Sequence, residues 1–418
     1  MRRFSWSCLV LALLPLAACA QSNVGSAVQA ASSSSSREAA GSQFLSGTSS
    51  DGRSYKLYVP SSYAGSALPL VVMLHGCTQT PDDFATGTRM NTLAESQGFL
   101  ALYPQQQQSD NSSECWNWFR PGDQTRGAGE PASIVGVIDH AAATYQIDAK
   151  HTYALGISAG AAMAVILGAT YPERFAAIAS GEGLEYEAAT SMASAYSAET
   201  QGGPSPTMQG QLAYEAMSTN ARIVRTFVVA GSADTTVKPL NGEQTISQWA
   251  QANDLASDGL DDDNIDDIAE MTTDAQVSGG HAYTLSTYDD ATTGQVVMQK
   301  LVVTGMSHAW SGGDPQGSYT DPMGPDASKL AWDFFAMGSA AVAVDGGTSS
   351  DAATTPTQKD GAVDTSGSGT GGSTQKPVSG GCDLGDRAPL STMPALLLAV
   401  LLLAANRRAR RGLIEIAR

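Results

Sequence analysis

The chain has 418 residues, of which 42% are hydrophobic and 15% are charged, enough for one large folded domain with appended segments. Its formal net charge of −18 at pH 7 argues against nucleic acid or an anionic membrane surface as a partner, because both would repel it. An excess of one sign of this size mainly promotes solubility.

Residues 1–18 have the pattern of a signal peptide: two arginines precede an apolar core over residues 9–16 that is too short to span a membrane permanently. The core leads into Leu-Ala-Ala-Cys, ending at Cys19, which resembles a bacterial lipobox, where the cysteine is acylated and becomes the first mature residue. We expect Cys19 to be lipidated; the alternative is an ordinary secretory cleavage after small residues. Both interpretations predict export, and the Ser- and Ala-rich residues 19–42 are expected to form a flexible tether.

The folded domain is expected over residues 43–340, where short apolar runs alternate with helical stretches rich in small residues. In chain order, the pattern predicts strands over 53–60, 68–75, 99–103, 176–180, 226–230 and 299–303, helices over 82–97, 131–145 and 326–337, and a strand, turn and helix over 152–171. Such alternation predicts an α/β fold, with a mainly parallel sheet and helices on both faces. Ligands of such folds bind at the carboxyl ends of the strands.

Two segments of the domain do not follow this alternation. Residues 182–220 lack clear periodicity and lie where such folds commonly insert a lid or cap. Residues 254–270 contain eight carboxylates, and an oxygen-rich loop of this kind could hold Ca²⁺. Their spacing does not fit an EF-hand, so a solvated acidic loop is the preferred interpretation.

A turn of Gly-x-Ser-x-Gly form, Gly156-Ile157-Ser158-Ala159-Gly160, connects the strand and helix predicted over 152–171. Such a strained turn projects a serine hydroxyl above the edge of a sheet, where a base can reach it, and a Cβ on either glycine would clash with nearby backbone. The alternative is a plain strand-to-helix turn with a buried serine. A nucleophilic serine also needs a base, an orienting acid and donors for the oxyanion.

Asp234 and His308 meet the first two needs, in the chain order Ser, Asp, His that hydrolases of this architecture use. Asp234 follows the buried strand predicted over 226–230, and His308 precedes Trp310 and a Gly-Gly loop. The alternatives are a turn-forming aspartate and a structural histidine. His281 is the fallback base, although no strong strand precedes it.

The backbone N–H groups of Cys77 and Ala159 are the candidate oxyanion donors. Ala159 directly follows the nucleophile, and Cys77 lies in the loop after the strand over 68–75, where we interpret His75 as structural. Cys77 and Cys115 are the two cysteines of the folded domain, and two cysteines in an exported domain tend to pair. We therefore predict a Cys77–Cys115 disulfide that holds this loop rigid.

Together with several further stretches, these motifs resemble the family of extracellular polyhydroxybutyrate depolymerases and feruloyl esterases. The matching stretches are residues 74–79, 89–91, 115–119, 156–160, 308–313, 319–322 and 324–328. The resemblance implies an α/β-hydrolase fold, a triad of Ser158, Asp234 and His308, and the oxyanion hole described above. It also implies attack on the ester bonds of a polymer or of an acylated plant polysaccharide. Ser307, where a glycine is usual, and the acidic insertion depart from the family pattern.

Trp116, Trp118 and Trp310 flank the loops of the predicted site. Aromatic rings near a site can hold an acyl or sugar chain by stacking, so all three are candidate substrate-binding residues. Trp310 is the best candidate because it lies close to the predicted base in sequence. The alternative is packing in the core, which we expect for at least one of the three.

The C-terminal part has its own pattern. Residues 341–380 are rich in Gly, Ser, Thr, Asp and Pro, which predicts a disordered linker. Residues 381–418 combine a Gly-Cys pair, an apolar run and a cluster of arginines, and resemble the MYXO-CTERM sorting signal. This resemblance implies processing near Cys382 and display at the cell surface or release. The alternative is a simple C-terminal membrane anchor, and we expect membrane attachment through the termini only.

The sequence thus predicts an exported serine esterase that resembles polyhydroxybutyrate depolymerases and acts on polyester or hydroxyalkanoate oligomers. The alternative is a feruloyl or acetylxylan esterase acting on plant polysaccharide esters, and a remoter one is a surface binding module on a hydrolase scaffold without turnover. The expected mechanism needs no metal and no organic cofactor, and the expected partner is the ester substrate. The sequence leaves the identity of the ester and the oligomeric state open.

Overall fold

A ten-stranded sheet dominates the computed structural model, which describes residues 41–338. In chain order its strands are β1 (Gln43–Thr48), β2 (Ser54–Val59), β3 (Leu68–Leu74), β4 (Leu100–Pro104), β5 (Ile147–Ile157), β6 (Ala177–Gly181), β7 (Arg225–Gly231), β8 (Met271–Gln276), β9 (Ala282–Asp290) and β10 (Gln295–Val303). Two short strands, β11 (Trp310–Ser311) and β12 (Thr320–Asp321), pair with each other outside this sheet.

The helices are α1 (Pro81–Thr88), α2 (Met90–Gln97), α3 (Gly129–Ala142), α4 (Ala159–Thr170), α5 (Met192–Gln201), α6 (Pro206–Met217), α7 (Leu240–Asp258) and α8 (Ala327–Met337). All described residues belong to one compact unit. The predicted signal peptide, the lipobox at Cys19, nearly all of the tether, the linker over 341–380 and the tail over 381–418 lie outside the described residues. Within residues 41–338, no helix combines the length and apolar character needed to cross a membrane.

The strand order is β1-β2-β4-β3-β5-β6-β7-β10-β9-β8. The six central strands, from β4 to β10 in that order, are mutually parallel, whereas the two strands at each edge join by antiparallel pairing. The carboxyl ends of the parallel strands therefore share one edge of the sheet, where ligands of such folds bind.

Both faces of the sheet are covered, because its central strands alternate apolar side chains between two cores. In β3, Leu70, Val72 and Leu74 belong to the core beneath α3, α4, α6 and α7. Val71 and Met73 point to the opposite core, beneath α1, α2 and α8. This period of two explains why the strand is a continuous apolar run, as parallel strands buried on both faces are. The predicted α/β architecture, a mainly parallel sheet with helices on both faces, is confirmed.

The helix predicted over 82–97 is wrong as a single element, since the chain breaks at Arg89. Arg89 has a left-handed φ of 53° and forms both the C-cap of α1 and the N-cap of α2. Its guanidinium Nε lies 3.2 Å from Asp314 Oδ2, so an ion pair with the loop after β11 accompanies the break. Local sequence does not encode that long-range ion pair.

The acidic segment over 254–270 is only partly a loop, which corrects the prediction. Asp254 lies in α7 and is 2% exposed. Its carboxylate accepts the backbone N–H groups of Asp262, Asp263 and Ile265 at 3.0–3.3 Å, so it holds the following turn against the helix. The other carboxylates of the segment are mostly exposed.

Candidate active site

Ser158 occupies a strained turn between β5 and α4. Its φ is +56° and its ψ −124°, in a region that non-glycine residues seldom adopt, and its N–H bonds to Gly181 O at 2.9 Å. A Cβ on Gly156 would lie 2.3 Å from the Gly160 backbone, and one on Gly160 would lie 2.1 Å from Leu74 O. The two glycines of the motif are therefore required by backbone packing, as the sequence motif predicted.

Asp234 and His308 lie in contact, although 74 residues separate them. His308 Nδ1 is 2.6 Å from Asp234 Oδ2. The Asp234 side chain is fully buried, and that of His308 is 13% exposed. Because β7 and β10 are adjacent parallel strands, the loops that follow them bring the two side chains together. This arrangement can hold the ring with Nδ1 protonated and Nε2 free to accept a proton.

Asp234 is held as a charged acceptor. Its Oδ1 accepts the N–H groups of Thr236 at 2.7 Å and Val237 at 3.0 Å. Burial raises the pKa of Asp234, but the hydrogen bond and charge of His308, with the further hydrogen bonds, outweigh it, so the pKa lies below its usual value. The carboxylate thus stays ionised beside the imidazole.

A cavity of about 330 Å³ contains the candidate nucleophile and the candidate base. It is lined by Gly76, Cys77, Gln79, Ile157, Ser158, Glu199, Thr236, His308 and Tyr319. Among residues 41–338, no hydrogen bond joins Ser158 Oγ to the His308 ring. Such contacts are often longer without substrate and tighten only in the reactive complex, so the proton transfer between the two stays a prediction.

The loop after β3 carries the first candidate oxyanion donor. Cys77 lines the cavity and forms the predicted disulfide with Cys115. Hydrogen bonds also hold this loop, from Thr78 N to Ser113 O at 2.8 Å and from Gly76 N to Gln79 Oε1 at 2.8 Å. A rigid loop keeps its N–H groups aimed at one point, which is the requirement for an oxyanion hole.

Ala159 carries the second candidate donor. It is the first residue of α4, where backbone N–H groups have no acceptor within the helix and the helix dipole places partial positive charge. An oxyanion formed at Ser158 would lie beside this N-terminus. The oxyanion roles of Cys77 and Ala159 are consistent with their positions and stay predictions.

Glu199 was not predicted from the sequence, because it lies in the aperiodic segment over 182–220. That segment folds into α5 and α6, and Glu199 on α5 reaches the cavity. Its backbone carbonyl accepts the N–H of Lys238 at 2.8 Å, which ties α5 to the loop after Asp234. Burial raises the pKa of Glu199, and the positive charge of His308 partly opposes that rise.

Tyr319 closes another side of the cavity. Its hydroxyl is 3.2 Å from Thr78 Oγ1, and its ring centroid is 6.4 Å from that of His308. The residue has a left-handed φ of 51° and is 45% exposed. It therefore bridges the loop that carries His308 and the loop that carries Cys77. Its place in the stretch 319–322, one of the family-like motifs, was the available signal.

Glu182 lies beside the pair and was also missed. Glu182, Asp234 and His308 offer three potential ligand atoms within 4.8 Å of one another, a spacing that a metal ion could use. The 2.6 Å contact between Asp234 and His308, and the bond from Gly231 N to Glu182 Oε1 at 2.7 Å, already engage these groups. Hydrogen bonding therefore accounts for the cluster without an ion.

The three tryptophans are buried and lie outside the cavity lining, which argues against the predicted role in substrate binding. Trp116, Trp118 and Trp310 are 0%, 3% and 1% exposed, and none lines the cavity. Trp310 Nε1 donates to Ser328 Oγ at 3.0 Å, and Trp116 Nε1 donates to His75 O at 3.1 Å. Their indoles pack in the two cores and brace the site loops from behind.

Neither His75 nor His281 competes with His308 for the role of base. His75 is buried, its Nδ1 contacts Gly76 O at 2.8 Å, and its Nε2 accepts the N–H of Gln106 at 3.1 Å. Burial lowers the pKa of His75 to about 4, so it stays neutral. His281 pairs with Asp321 at 2.9 Å and does not line the cavity. The assignment of His75 as structural fits this environment.

Comparison with known proteins agrees with the geometry. The family model described as "Esterase PHB depolymerase" matches residues 53–262. The poly(3-hydroxyalkanoate) depolymerase C of Paucimonas lemoignei is 37% identical over 254 residues, covering 60% of this chain and 57% of the relative. Feruloyl esterase B of Neurospora crassa is 36% identical over 139 residues, covering 33% of this chain and 46% of the relative. The chain thus spans about half the length of these curated relatives.

A solved structure supports the fold. The acetyl xylan esterase from Aspergillus awamori aligns with a TM-score of 0.55 and 24% identity, over 71% of this chain and 100% of that one. The predicted α/β-hydrolase fold is confirmed by this likeness and by the sheet order. With the family model covering half of its residues, the chain belongs to the esterase PHB depolymerase family.

Proposed function

We propose that the chain is an exported serine esterase of polyhydroxybutyrate depolymerase type, which hydrolyses carboxylic ester bonds through an acyl-enzyme. One observation carries the proposal: Ser158 and His308 line the same cavity, and His308 is bonded at 2.6 Å to the buried Asp234. A binding protein has no need of all three groups in this arrangement. Membership of an esterase family supports the same activity.

The acylation step uses the cavity as follows. His308 Nε2 takes the proton of Ser158 Oγ while that oxygen attacks the ester carbonyl carbon. The N–H groups of Cys77 and Ala159 donate to the oxyanion that forms, and Asp234 stabilises the imidazolium through its Nδ1–H. The carbon–oxygen bond of the ester then breaks, and the imidazolium gives its proton to the departing alcohol oxygen.

Deacylation repeats the sequence with water in place of the serine. His308 removes a proton from a water molecule, whose oxygen attacks the acyl carbon. The acyl–oxygen bond breaks, the carboxylic acid leaves, and the imidazolium returns its proton to Ser158. No step needs an oxidant, reductant or cofactor.

We propose hydroxyalkanoate oligomers or other polyester oligomers as substrates. Thr236 and Tyr319, which both carry hydroxyl groups, line the cavity with Ser158 and His308. Such donors suit a chain with an ester oxygen at every repeat. The likeness to a depolymerase supports this class, and the likeness to a feruloyl esterase keeps an ester of a plant polysaccharide, feruloyl or acetyl, as the alternative.

The activity is tested with p-nitrophenyl butyrate. Ser158→Ala is expected to lower kcat by at least about 10³-fold. Ser96→Ala is the matched control, because Ser96 lies on the surface of α2 and is expected to leave kcat unchanged. Equal slow hydrolysis by wild type and Ser158→Ala would overturn the enzyme proposal and favour the surface binding module.

The substrate class is tested by ranking kcat/KM on hydroxybutyrate oligomers, methyl ferulate and acetylated xylan. A depolymerase-type enzyme is expected to favour the oligomers by at least about tenfold, or about 1.4 kcal/mol of transition-state binding. A higher value on methyl ferulate or on acetylated xylan would assign the enzyme to the alternative.

We further propose export, with attachment through the termini only. The basic and apolar start of the chain and the cysteine at position 19 support this proposal. Labelling expressing cells with a palmitate analogue is expected to tag the wild-type chain and to leave Cys19→Ser untagged. A wild-type chain without label would assign the ordinary secretory cleavage instead.

A further inference from the structure

Glu182 occupies a position that the proposed mechanism does not use. It directly follows β6, whereas Asp234 follows β7 and His308 follows β10, and these three strands are neighbours in the sheet. Their carboxyl ends bring the three side chains to one point. Glu182 is 3% exposed and has a left-handed φ of 50°, with its N–H bonded to Val229 O at 2.9 Å.

The Glu182 side chain has one N–H donor and a second carboxyl group beside it. Its Oε1 accepts the N–H of Gly231 at 2.7 Å, and one of its carboxyl oxygens lies within 4.8 Å of a carboxyl oxygen of Asp234. Within residues 41–338, no lysine or arginine forms an ion pair with it. Two ionised carboxylates are acceptors only, so a hydrogen bond between Glu182 and Asp234 requires a proton on one of them.

The proton belongs on Glu182. Asp234 already faces three N–H groups, from His308, Thr236 and Val237, and all of them favour its charged form. Glu182 has one such donor. Burial raises the pKa of Glu182 well above its usual value, and the hydrogen bond and charge of Asp234 raise it further, although the Gly231 N–H opposes this.

We propose that Glu182 is a positioning residue, whose carboxylic O–H donates to Asp234 and fixes the carboxylate that orients His308. Asp234 is then held from three sides, by the loop N–H groups, by His308 and by Glu182. A neutral Glu182 adds this support without a second negative charge, which would stabilise the imidazolium and leave less of the neutral ring that must act as base.

The ionisable groups around this point are few. The charge of Asp234 acts on Glu182, and a ring nitrogen of His308 lies within 4.8 Å of the Glu182 carboxyl group. Glu199, on α5, acts on His308 from the cavity side. Glu185, three residues further along the chain, is equally buried, and neither of its carboxyl oxygens has a hydrogen-bond partner among the described residues. It therefore provides a matched control for the loss of a buried carboxyl group.

The test compares Glu182→Gln, Glu182→Ala and Glu185→Gln by the pH dependence of kcat and KM. Glutamine keeps a donor for Asp234 and an acceptor for Gly231, so kcat is expected to stay within about threefold of the wild-type value. The acid limb of the pH–rate profile, where activity falls as His308 is protonated, is expected to stay at the same pH. Alanine removes the donor, and kcat is expected to fall about tenfold to a hundredfold with KM unchanged. Glu185→Gln is expected to leave both kcat and the acid limb unchanged.

The inference rests on the proposed function, so the second readout does not depend on turnover. The His308 ring is titrated by proton NMR in Ser158→Ala, with and without Glu182→Gln, and the same His308 pKa is expected in both. A pKa lowered by about one unit or more in the glutamine variant would overturn the proposal, because it means that Glu182 is ionised in the native protein. This result decides the question even if Glu182→Ala does not fold.

Two further outcomes would also overturn it. Wild-type kcat in Glu182→Ala shows that Asp234 needs no support from Glu182. Loss of activity after dialysis against EDTA, restored by a divalent cation, shows that the cluster of Glu182, Asp234 and His308 binds a metal instead of sharing a proton. Full activity after the same dialysis supports the proposal. If only the Ser158→Ala activity test fails, the His308 titration still stands, and the two proposals are judged separately.

Discussion

Removing the Cys77–Cys115 disulfide is expected to destabilise the protein strongly and to slow it only moderately. The bond joins residues 38 positions apart. For a closed loop of that length, the chain-entropy relation gives about 13 cal/mol/K, or about 4 kcal/mol at 25 °C. Measured values usually fall below this limit, so we expect the double variant Cys77→Ala/Cys115→Ala to lose about 2–4 kcal/mol in free energy of unfolding.

The effect on turnover is expected to be smaller because other contacts hold the same loop. Thr78 N still bonds to Ser113 O at 2.8 Å, and Trp116 Nε1 still donates to His75 O at 3.1 Å. The Cys77 N–H is a backbone group and survives substitution. We therefore expect kcat on p-nitrophenyl butyrate to fall by about tenfold or less, well short of the about 10²–10³-fold loss that follows deletion of an oxyanion donor.

Urea unfolding followed by tryptophan fluorescence measures the change in free energy of unfolding. Initial rates at urea concentrations below the unfolding transition measure the change in kcat. Wild type reduced with dithiothreitol is the control, because it loses the crosslink without a change of sequence. A stability loss under about 1 kcal/mol would refute the loop-entropy argument. A loss of kcat beyond about 10²-fold in a variant that is still folded would show that the disulfide itself sets the position of the oxyanion donor.

Three further predictions concern the site and its support. Gly160→Ala would place a Cβ 2.1 Å from a backbone carbonyl of β3 and is expected to lower the free energy of unfolding by at least about 3 kcal/mol, measured by thermal or urea unfolding. Gly136→Ala is the control, because its Cβ would meet open space, and it is expected to be neutral or stabilising. Equal effects of the two substitutions would refute the packing argument. Asp234→Asn is expected to lower kcat by about 10³–10⁴-fold with KM little changed, because the amide cannot hold His308 in the required tautomer; a variant within tenfold of wild type would remove Asp234 from the triad. Burial raises the pKa of Glu185 to about 8, so its contribution to stability is complete below the unfolded value of about 4.3 and is lost as pH rises toward 8. As the pH rises from 6 to 8, the free energy of unfolding in urea is expected to fall by about 2 kcal/mol less in Glu185→Gln than in wild type. Parallel curves of unfolding free energy against pH for the two proteins would refute this.

The features predicted best from the sequence are those that the local pattern determines. The apolar run of β3 needs burial on both faces, which a parallel strand with helices above and below provides. The Gly-x-Ser-x-Gly turn is specified by two glycines that backbone contacts require. Asp234 and His308 were found by their order along the chain, which the strand order then turns into contact.

The secondary structure that was missed lacks such a local signal. Helix α7 (Leu240–Asp258) is rich in polar residues that it buries, among them Asn241, Gln248 and Asn253. Each of them forms a hydrogen bond with a backbone group that is distant in sequence. Asn253 Oδ1, for example, accepts the N–H of Val224 at 2.8 Å. Strand β8 is almost entirely exposed and pairs only with β9, so no buried face marks it in the sequence.

Errors at the site have a related cause, because residue type does not reveal burial. Tryptophan suits both a substrate platform and a core, and only the packed structure shows Trp310 at 1% exposure behind the site. Tyr319, an aromatic residue in the same loop region, is instead 45% exposed and lines the cavity. The difference lies in the β11–β12 pairing. Trp310 lies in β11 and is buried, whereas Tyr319 directly precedes β12 and stays at the rim of the cavity with a left-handed φ.

Glu182 shows the same limit in its strongest form. A glutamate after a short strand would be placed on the surface by composition alone, since burying an unpaired charge is costly. It can be buried here because three strands end at one point, where Gly231 supplies an N–H and the Asp234 carboxylate, within 4.8 Å, is the proposed acceptor for its O–H. The sequence contains each of these groups, but 52 residues separate Glu182 from Asp234 and 74 more lead to His308. Only the order of β6, β7 and β10 in the sheet makes them one unit, so the protonation state of Glu182 follows from topology rather than from any local motif.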